Sequence, residues 1–299
     1  MLPNKFNYNL NLYKDFYFVC KYGSLSKAAE AAYTSAPAIS KSIKKLEEEL
    51  GRDLFYRKST GMELTKYGKD LLYYVEKIFS NLSTAERSML EDDNLQRGSL
   101  SIGMPSNVGT FLLFDKILEF HNNYPNIEIS VVTGGTKKLM NLLNNHDVDF
   151  VIDMSPVDVK LDEDIIIKEI MKVNYKFVVH KDSSINIKSI NELVDKQLVL
   201  PIKGTANRKD LDKVFEMYNL SNLNILSLHT SEMILAAVKK NLGIGYVIED
   251  MIKLESDLKV LDLCEKLPSV KINLIYNPKY LTTTPRRFIE MYIDKSINK

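Results

Sequence analysis

The sequence predicts an α/β protein with an all-α winged helix-turn-helix at its N-terminus, a long linker helix, and a larger α/β body. Three observations support this. The first 50 residues hold short helical segments, the third of them amphipathic with a basic outer face. An apolar seam with no proline follows, and beyond Gly98 strand-like and helix-like segments alternate. A chain of 299 residues is long enough for two or three cores.

The head begins at Asn11–Tyr22, where Leu12, Phe16, Val19 and Cys20 share one helical face and Gly23 stands at a C-cap. Lys27–Ala32 is a short second helix whose alanines, Ala28, Ala29 and Ala32, let another helix cross closely. After the turn Tyr33-Thr34-Ser35, a third helix starts near Ala36 with Ser35 as N-cap and Pro37 in its first turn. Ile39, Ile43, Leu46 and Leu50 form its buried stripe; Ser40, Lys41, Lys44 and Lys45 face outward, and Gly51 ends it. Leu54–Leu64 reads as two short strands around a turn, a wing bearing Arg57 and Lys58.

Residues 1–70 hold twelve Lys and Arg against eight Asp and Glu, a net +4, so the remainder carries −3. A basic head on a mildly acidic body suits a polyanion at one end. The third helix could lie in a major groove, its hydroxyls and ammonium groups reaching bases and phosphates. Charge alone equally allows a solvated basic face on a packing helix.

The ordered run Leu25-Ser26-Lys27-Ala28-Ala29, Ser35-Ala36-Pro37-Ala38-Ile39-Ser40-Lys41-Ser42-Ile43, Leu46-Glu47-Glu48-Glu49-Leu50-Gly51, Leu54-Phe55-Tyr56-Arg57 and Leu64-Thr65-Lys66-Tyr67-Gly68 resembles the LysR-type transcriptional regulator family. The resemblance implies a sequence-specific regulator that binds double-stranded DNA and responds to a small-molecule effector. It assigns DNA contact to Ser35, Pro37, Ser40, Lys41, Lys44, Arg57 and Lys58, with residues 1–64 as the DNA-binding domain. Ala36 departs from the family, which often has Gln there, and removes an amide that could read adenine.

From Leu64 onward, Gly68, Leu71, Val75, Ile78, Leu82, Ala85 and Met89 recur in alternating steps of four and three, a coiled-coil seam over a linker of residues 65–97. Such a stripe requires a partner, either a second copy or the chain's own body. The resemblance favours self-association: a dimer through the linker helix, and a tetramer. Asp92-Asp93-Asn94 and Arg97-Gly98 mark the boundary.

In the body, strands are expected at Leu100–Met104, Ile127–Val132, Val148–Ile152, Tyr175–His180, Leu198–Leu200, Leu223–Leu228, Ile244–Ile248 and Val270–Tyr276. Helices are expected at Phe111–Asn122, Lys137–Asn144, near Ile190–Val194, and at Asn207–Tyr218, Ser231–Lys240 and Pro285–Ile297. The alternation implies a parallel sheet with crossover helices. The body, residues 98–299, also resembles the family's two-lobed effector domain, built like a periplasmic binding protein. Tyr124-Pro125, Gly134-Gly135-Thr136 and Asp147-Val148-Asp149-Phe150 stand where the family has comparable residues. By that resemblance the first lobe is 98–170 with 276–299, and the second is 171–275.

Open α/β sheets bind ligands beyond the carboxyl ends of their strands, and helix N-termini there favour anions. Loops carrying Ser106 and Asn107, Thr136, Pro201, Lys203, Gly204 and Thr205, and Thr230 and Ser231 are therefore the expected effector contacts. Each residue taken singly reads first as an ordinary N-cap or turn residue, and the expectation lies in their convergence. Lys203 and Arg208 could meet an acidic effector, or could be solvated.

Enzyme classes find little support. His121, His146, His180 and His229 lack metal-ligand spacing, and GxSxG and Walker A motifs are absent. Gly243-Ile244-Gly245 precedes a strand, the wrong context for a dinucleotide loop. Asp147, Asp149 and Asp153 read as strand-end surface carboxylates. No cofactor and no metal are expected. Cys20 and Cys264 suggest neither a disulfide framework nor a zinc site, and no apolar run is long enough for a bilayer. Met1–Leu12 lacks the apolar core of a signal peptide, so a cytoplasmic protein with no membrane partner is expected. The alternative class is a plain solute-binding protein with an N-terminal interaction module.

Overall fold

Capping residues set the ends of the head's helices in the computed structural model, which describes residues 8–58, 61–91, 94–154, 157, 159, 161–253 and 255–294. Helix α1 (Leu10–Tyr22) starts at Asn9, whose side chain accepts from the Asn11 N–H, and stops at Gly23. Helices α2 (Leu25–Ala31) and α3 (Ala36–Leu50) follow, α3 ending at Gly51 in the left-handed conformation, φ 66°. Strands β1 (Phe55–Lys58) and β2 (Gly61–Leu64) pair antiparallel as the wing; its expected turn residues, Ser59 and Thr60, lie outside the described residues. Helix α4 (Lys66–Leu90) is the linker.

The head's core is Phe16, Val19, Ala28, Ala29, Ile39, Ile43, Leu46, Leu54 and Val75, all buried. Leu50 departs from the expected stripe: it is 41% exposed, because the last turn of α3 runs past this core. Glu47 ties α3 to the wing by accepting from the Leu54 N–H (2.8 Å) and the Phe55 N–H (3.3 Å). The Leu64–Gly68 motif has a similar local cause. Thr65 donates its hydroxyl to Asp53 O (2.8 Å) and accepts the Gly68 N–H (3.0 Å), while its own N–H goes to Leu54 O. At Gly68 a Cβ would lie 2.2 Å from that same carbonyl oxygen, so only glycine lets α4 approach.

The α4 seam does two jobs. Gly68 and Val75 are buried, and Leu71 packs against the head's own core. Ile78 (41% exposed), Leu82 (45%) and Met89 (85%), with exposed Ala85, form the part left open. The seam expected to face a single partner is thus divided, because its first three turns or so complete the helix-turn-helix.

The chain divides into two compact units between Glu86 and Arg87. In the second unit the strands are β3 (Gly98–Met104), β4 (Ile127–Thr133), β5 (Phe150–Met154), β6 (Ile166–His180), β7 (Gln197–Pro201), β8 (Asn224–Leu228), β9 (Ile244–Ile248), β10 (Leu258–Leu261) and β11 (Ser269–Tyr276). They join in the order β4-β3-β5-β11-β6-β9-β7-β8, with β10 on β6. The helices are α5 (Ser106–Val108), α6 (Phe114–Asn123), α7 (Thr136–Asn144), α8 (Ala206–Met217), α9 (Ser231–Lys239), α10 (Glu249–Ile252) and α11 (Thr283–Phe288). A π-helical stretch, Gly109–Leu113, joins α5 to α6, and another, Ile289–Asp294, follows α11; the expected helix end beyond Asp294 lies outside the described residues.

Each lobe repeats one topology. β3, β4 and β5 lie parallel in the order second-first-third, and so do β7, β8 and β9. The expectation of a parallel sheet holds for these triplets but not for the whole: β6 and β11 run antiparallel through the middle. Residues 166–174 of β6 pair with β11, and residues 175–180 pair with β9 and β10. The partner change therefore falls inside β6, and β11 belongs wholly to the first lobe. The boundaries expected at 170/171 and 275/276 cut through continuous strands. A change of strand partner depends on which strands fold alongside, so local sequence does not place it.

Within the second unit, Arg87 and Glu91 make polar contacts with the first lobe. Arg87 Nη1 lies 2.8 Å from Asp149 Oδ1, and Asp149 Oδ2 accepts the Ser101 N–H at 2.7 Å. Glu91 accepts from the Thr282 hydroxyl (2.8 Å) and the Thr284 N–H (3.1 Å). Asp149 is therefore no surface carboxylate. Burial pushes its carboxyl above the ordinary range, with Arg87 pulling the other way.

Candidate functional site

Helix α3 sorts its side chains by chemistry. Ile39, Ile43 and Leu46 are fully buried, whereas Pro37, Lys41, Lys44 and Lys45 are exposed and Ser40 is half-buried. Ser35 is the N-cap, its hydroxyl oxygen accepting from the Ala38 N–H at 3.4 Å. Lys44 and Lys45 meet Glu48 and Glu49 one turn on, at 3.7 and 3.9 Å, with both partners at the surface. Such pairs are worth about 0.3–0.5 kcal/mol, too little to withhold either ammonium from a polyanion. Lys41 and Arg57 stand in no ion pair among the described residues. Lys58 is paired across the wing with Glu63, whose carboxyl it holds below the usual range. Tyr33, in the turn before α3, is 98% exposed at φ 53°.

The second unit contains a cavity of about 850 Å³ where the two repeated topologies meet. The loop after β3 contributes Pro105, Ser106 and Asn107, and the loop after β4 contributes Gly134, Gly135 and Thr136. The loop after β7 contributes Pro201, Lys203, Gly204 and Thr205, and the loop after β8 contributes His229, Thr230 and Ser231. All nine residues expected at a ligand site thus line one cavity, since equivalent loops of the two lobes meet at the carboxyl ends of their strands. Arg208 does not join them. It is 2% exposed and committed internally, Nε to Asp212 Oδ1 (2.7 Å) and Nη1 to Pro201 O (2.9 Å).

Helix ends shape the polarity of this cavity. Thr230 caps α9 through the Met233 N–H (3.2 Å), the ordinary N-cap role. Helices α7 and α8 begin at Gly135 and Thr205 without a side-chain cap; the Thr205 hydroxyl donates instead to Ile202 O (2.9 Å). Their first N–H groups and partial positive charge suit an acceptor.

Asp153, at the end of β5, also lines the cavity and is 2% exposed, contrary to its reading as a surface carboxylate. Its Oδ1 accepts the Met154 N–H at 2.7 Å. Burial raises its pKa, while Thr136 and the Met154 N–H pull it down. Its position at a carboxyl strand end, beside the Gly134-Gly135 loop, was the available signal. Asn207 and Lys138 are further lining residues that local pattern did not single out.

Among the described residues, no group of three His, Cys, Asp or Glu side chains could hold a metal ion, and no helix is long and apolar enough to cross a membrane. Both cysteines are free, and burial, then the charge of Glu76, pushes the Cys20 thiol up to about 12, which makes it a poor nucleophile. Gly245 packs against α9, where a Cβ would meet Val238, so the GxG fragment serves helix–strand packing.

The comparisons agree along the chain. Residues 10–69 match the bacterial regulatory helix-turn-helix protein, lysR family, and residues 93–296 match the LysR substrate binding domain. The HTH-type transcriptional regulator SoxR of Arthrobacter sp. is 29% identical over 281 residues, 92% of this chain and 93% of that protein. A probable RuBisCO transcriptional regulator of Phaeodactylum tricornutum is 26% identical over 83% of each chain. In fold, the chain is similar to a full-length OxyR variant from Pseudomonas aeruginosa (TM-score 0.69, 18% identity, 98% and 96% coverage). It is also similar to full-length CbnR complexed with its target DNA (TM-score 0.55, 18% identity, 97% and 100% coverage). The chain therefore belongs to the LysR family of DNA-binding transcriptional regulators, a family of non-enzymes with an effector-binding domain.

Proposed function

We propose that this regulator works in the cytoplasm, reads duplex DNA with α3 and the wing, and responds to a small molecule held in the cavity between its lobes. The cavity is the observation that carries the sensing part: its volume of about 850 Å³ suits a small metabolite, and loops from both lobes line it. The DNA contacts are Ser35, Pro37, Ser40, Lys41, Lys44, Arg57 and Lys58. The effector contacts are Ser106, Asn107, Thr136, Pro201, Lys203, Gly204, Thr205, Thr230 and Ser231. In domain terms, residues 1–64 bind DNA, 65–97 pair copies of the chain, and 98–299 hold the effector.

Two copies associate through the open part of the α4 seam, Ile78, Leu82, Ala85 and Met89, giving a dimer that presents two α3 helices to a roughly twofold site. The CbnR relative, solved with its target DNA, supports the DNA part by likeness of fold. An effector that binds one arrangement of the lobes more tightly shifts the population toward it, and through α4 changes the DNA geometry each dimer prefers.

The test is affinity of the full chain for duplex DNA across a salt series, with and without ligand. Steep loss of affinity with salt is expected from counterion release, together with a ligand-dependent change in affinity or DNA bend. Absence of DNA affinity at every salt concentration would reassign the chain as a solute binder.

A further inference from the structure

We propose that the cavity ligand carries a cationic amine together with an anionic group, as an amino acid does, and that Asp153 receives the amine. This rests on the cavity being the effector site and adds the chemical class of what it holds.

Asp153 supplies the first half of the case. With Oδ1 occupied by the Met154 N–H, Oδ2 is buried without a well-formed hydrogen bond; the Thr136 side chain is the one further donor acting on the carboxyl, and no cation pairs with it among the described residues. A buried carboxylate so poorly satisfied is costly, and burial here disfavours its charged form. An ammonium group entering the cavity would supply both the missing hydrogen bond and the compensating charge. A divalent cation fits poorly, because it needs several oxygen ligands and Asp153 is the only carboxylate among the described lining residues.

The second half has the opposite sign. Helices α7 and α8 both bring N-termini without side-chain caps to this cavity, and Lys203 stands on the loop before α8. Open N–H groups, helix dipoles and an ammonium suit a carboxylate. One cavity thus offers a lone anion for a cation and two helix starts for an anion, which suits a zwitterion better than a simple acid or a simple amine.

The test uses the full chain, thermal shift and calorimetric titration, and matched ligand sets. Each common L-amino acid is compared with its desamino acid and its decarboxylated amine; for valine these are isovalerate and isobutylamine. At least one amino acid should raise the melting temperature, with its acid and amine counterparts at least about tenfold weaker. Asp153→Asn should weaken that amino acid by about ten- to a hundredfold, the scale of a charge-assisted hydrogen bond, without lowering the melting temperature of the free protein. The proposal is overturned if the desamino acid binds as tightly as the amino acid, if Asp153→Asn binds unchanged, or if no amino acid binds. Ser106→Trp, which fills the cavity from an exposed position, separates the two levels. Acid binding abolished by Ser106→Trp keeps the effector cavity and rejects the amine partner; ligand binding that survives it removes the cavity assignment itself.

Discussion

Replacing Gly68 by alanine sets two known effects against each other. At an unobstructed helix position the change would stabilise α4 by about 1 kcal/mol, through helix propensity. Here the new methyl would sit 2.2 Å from Leu54 O and 2.7 Å from Leu64 Cδ2. An ordinary contact needs more than 3 Å, so the Leu54 carbonyl would have to withdraw by about 1 Å. It is backbone, and it already accepts the Thr65 N–H at 3.0 Å. Overpacking of this kind costs about 1–3 kcal/mol, and weakening the Thr65 bond adds about 1 kcal/mol. The steric cost therefore wins, and Gly68→Ala should destabilise the head by about 1–3 kcal/mol. For a unit of this size that lowers the melting temperature by roughly 5–15 °C. Calorimetry on the full chain, following the transition of the head, measures it. An unchanged or raised melting temperature would refute the close approach of α4 to Leu54 and the reasoning built on it.

Other expectations follow from the same contacts. Lys41→Ala should weaken DNA binding and lower the salt slope by about one phosphate contact, leaving the melting temperature unchanged. Leu82→Asp should dissociate the oligomer in sedimentation while the head stays folded. Val75→Asp should instead unfold the head, since Val75 is 1% exposed in its core. Arg87→Met leaves Asp149 buried without its cation and should cost about 3 kcal/mol at neutral pH, a deficit that shrinks on acidification as the carboxyl takes a proton. Asp153 has its pKa raised by burial, so its stabilising contribution is present below the ordinary carboxylate range and is lost as pH rises through the shifted value. The melting-temperature advantage of Asp153→Asn over wild type should therefore grow from about pH 4 to about pH 7.

Local chemistry made most of the elements legible. Ser35 and Gly51 bracket α3, and Ile39, Ile43 and Leu46 are its buried stripe. All nine expected cavity residues could be found because they are small polar or turn residues at strand ends, and strand ends converge in this topology. Long-range features were less legible. Residues 166–174 of β6 went unseen, as charged Lys168, Glu169 and Lys172 interrupt their apolar pattern. Which half of the α4 seam the head would absorb depends on the cross-section of the folded domain. Asp149 and Asp153 looked alike on a strand. Only three-dimensional packing separates the one paired with Arg87 from the one at the cavity wall.

The double role of β6 has a consequence for how this protein could be cut and rejoined. Asn174, the last β6 residue to face β11, sits directly across from Ser269, the first residue of β11. Everything between them is an insertion whose two ends are paired neighbours in the sheet. Excising residues 175–268 and bridging Asn174 to Ser269 with a two-residue turn would close a hairpin and leave the remaining sheet with its pairings intact. Such a miniature would retain the head and α4 but only one wall of the cavity, and so provides a ligand-blind control for any response measured in the intact regulator.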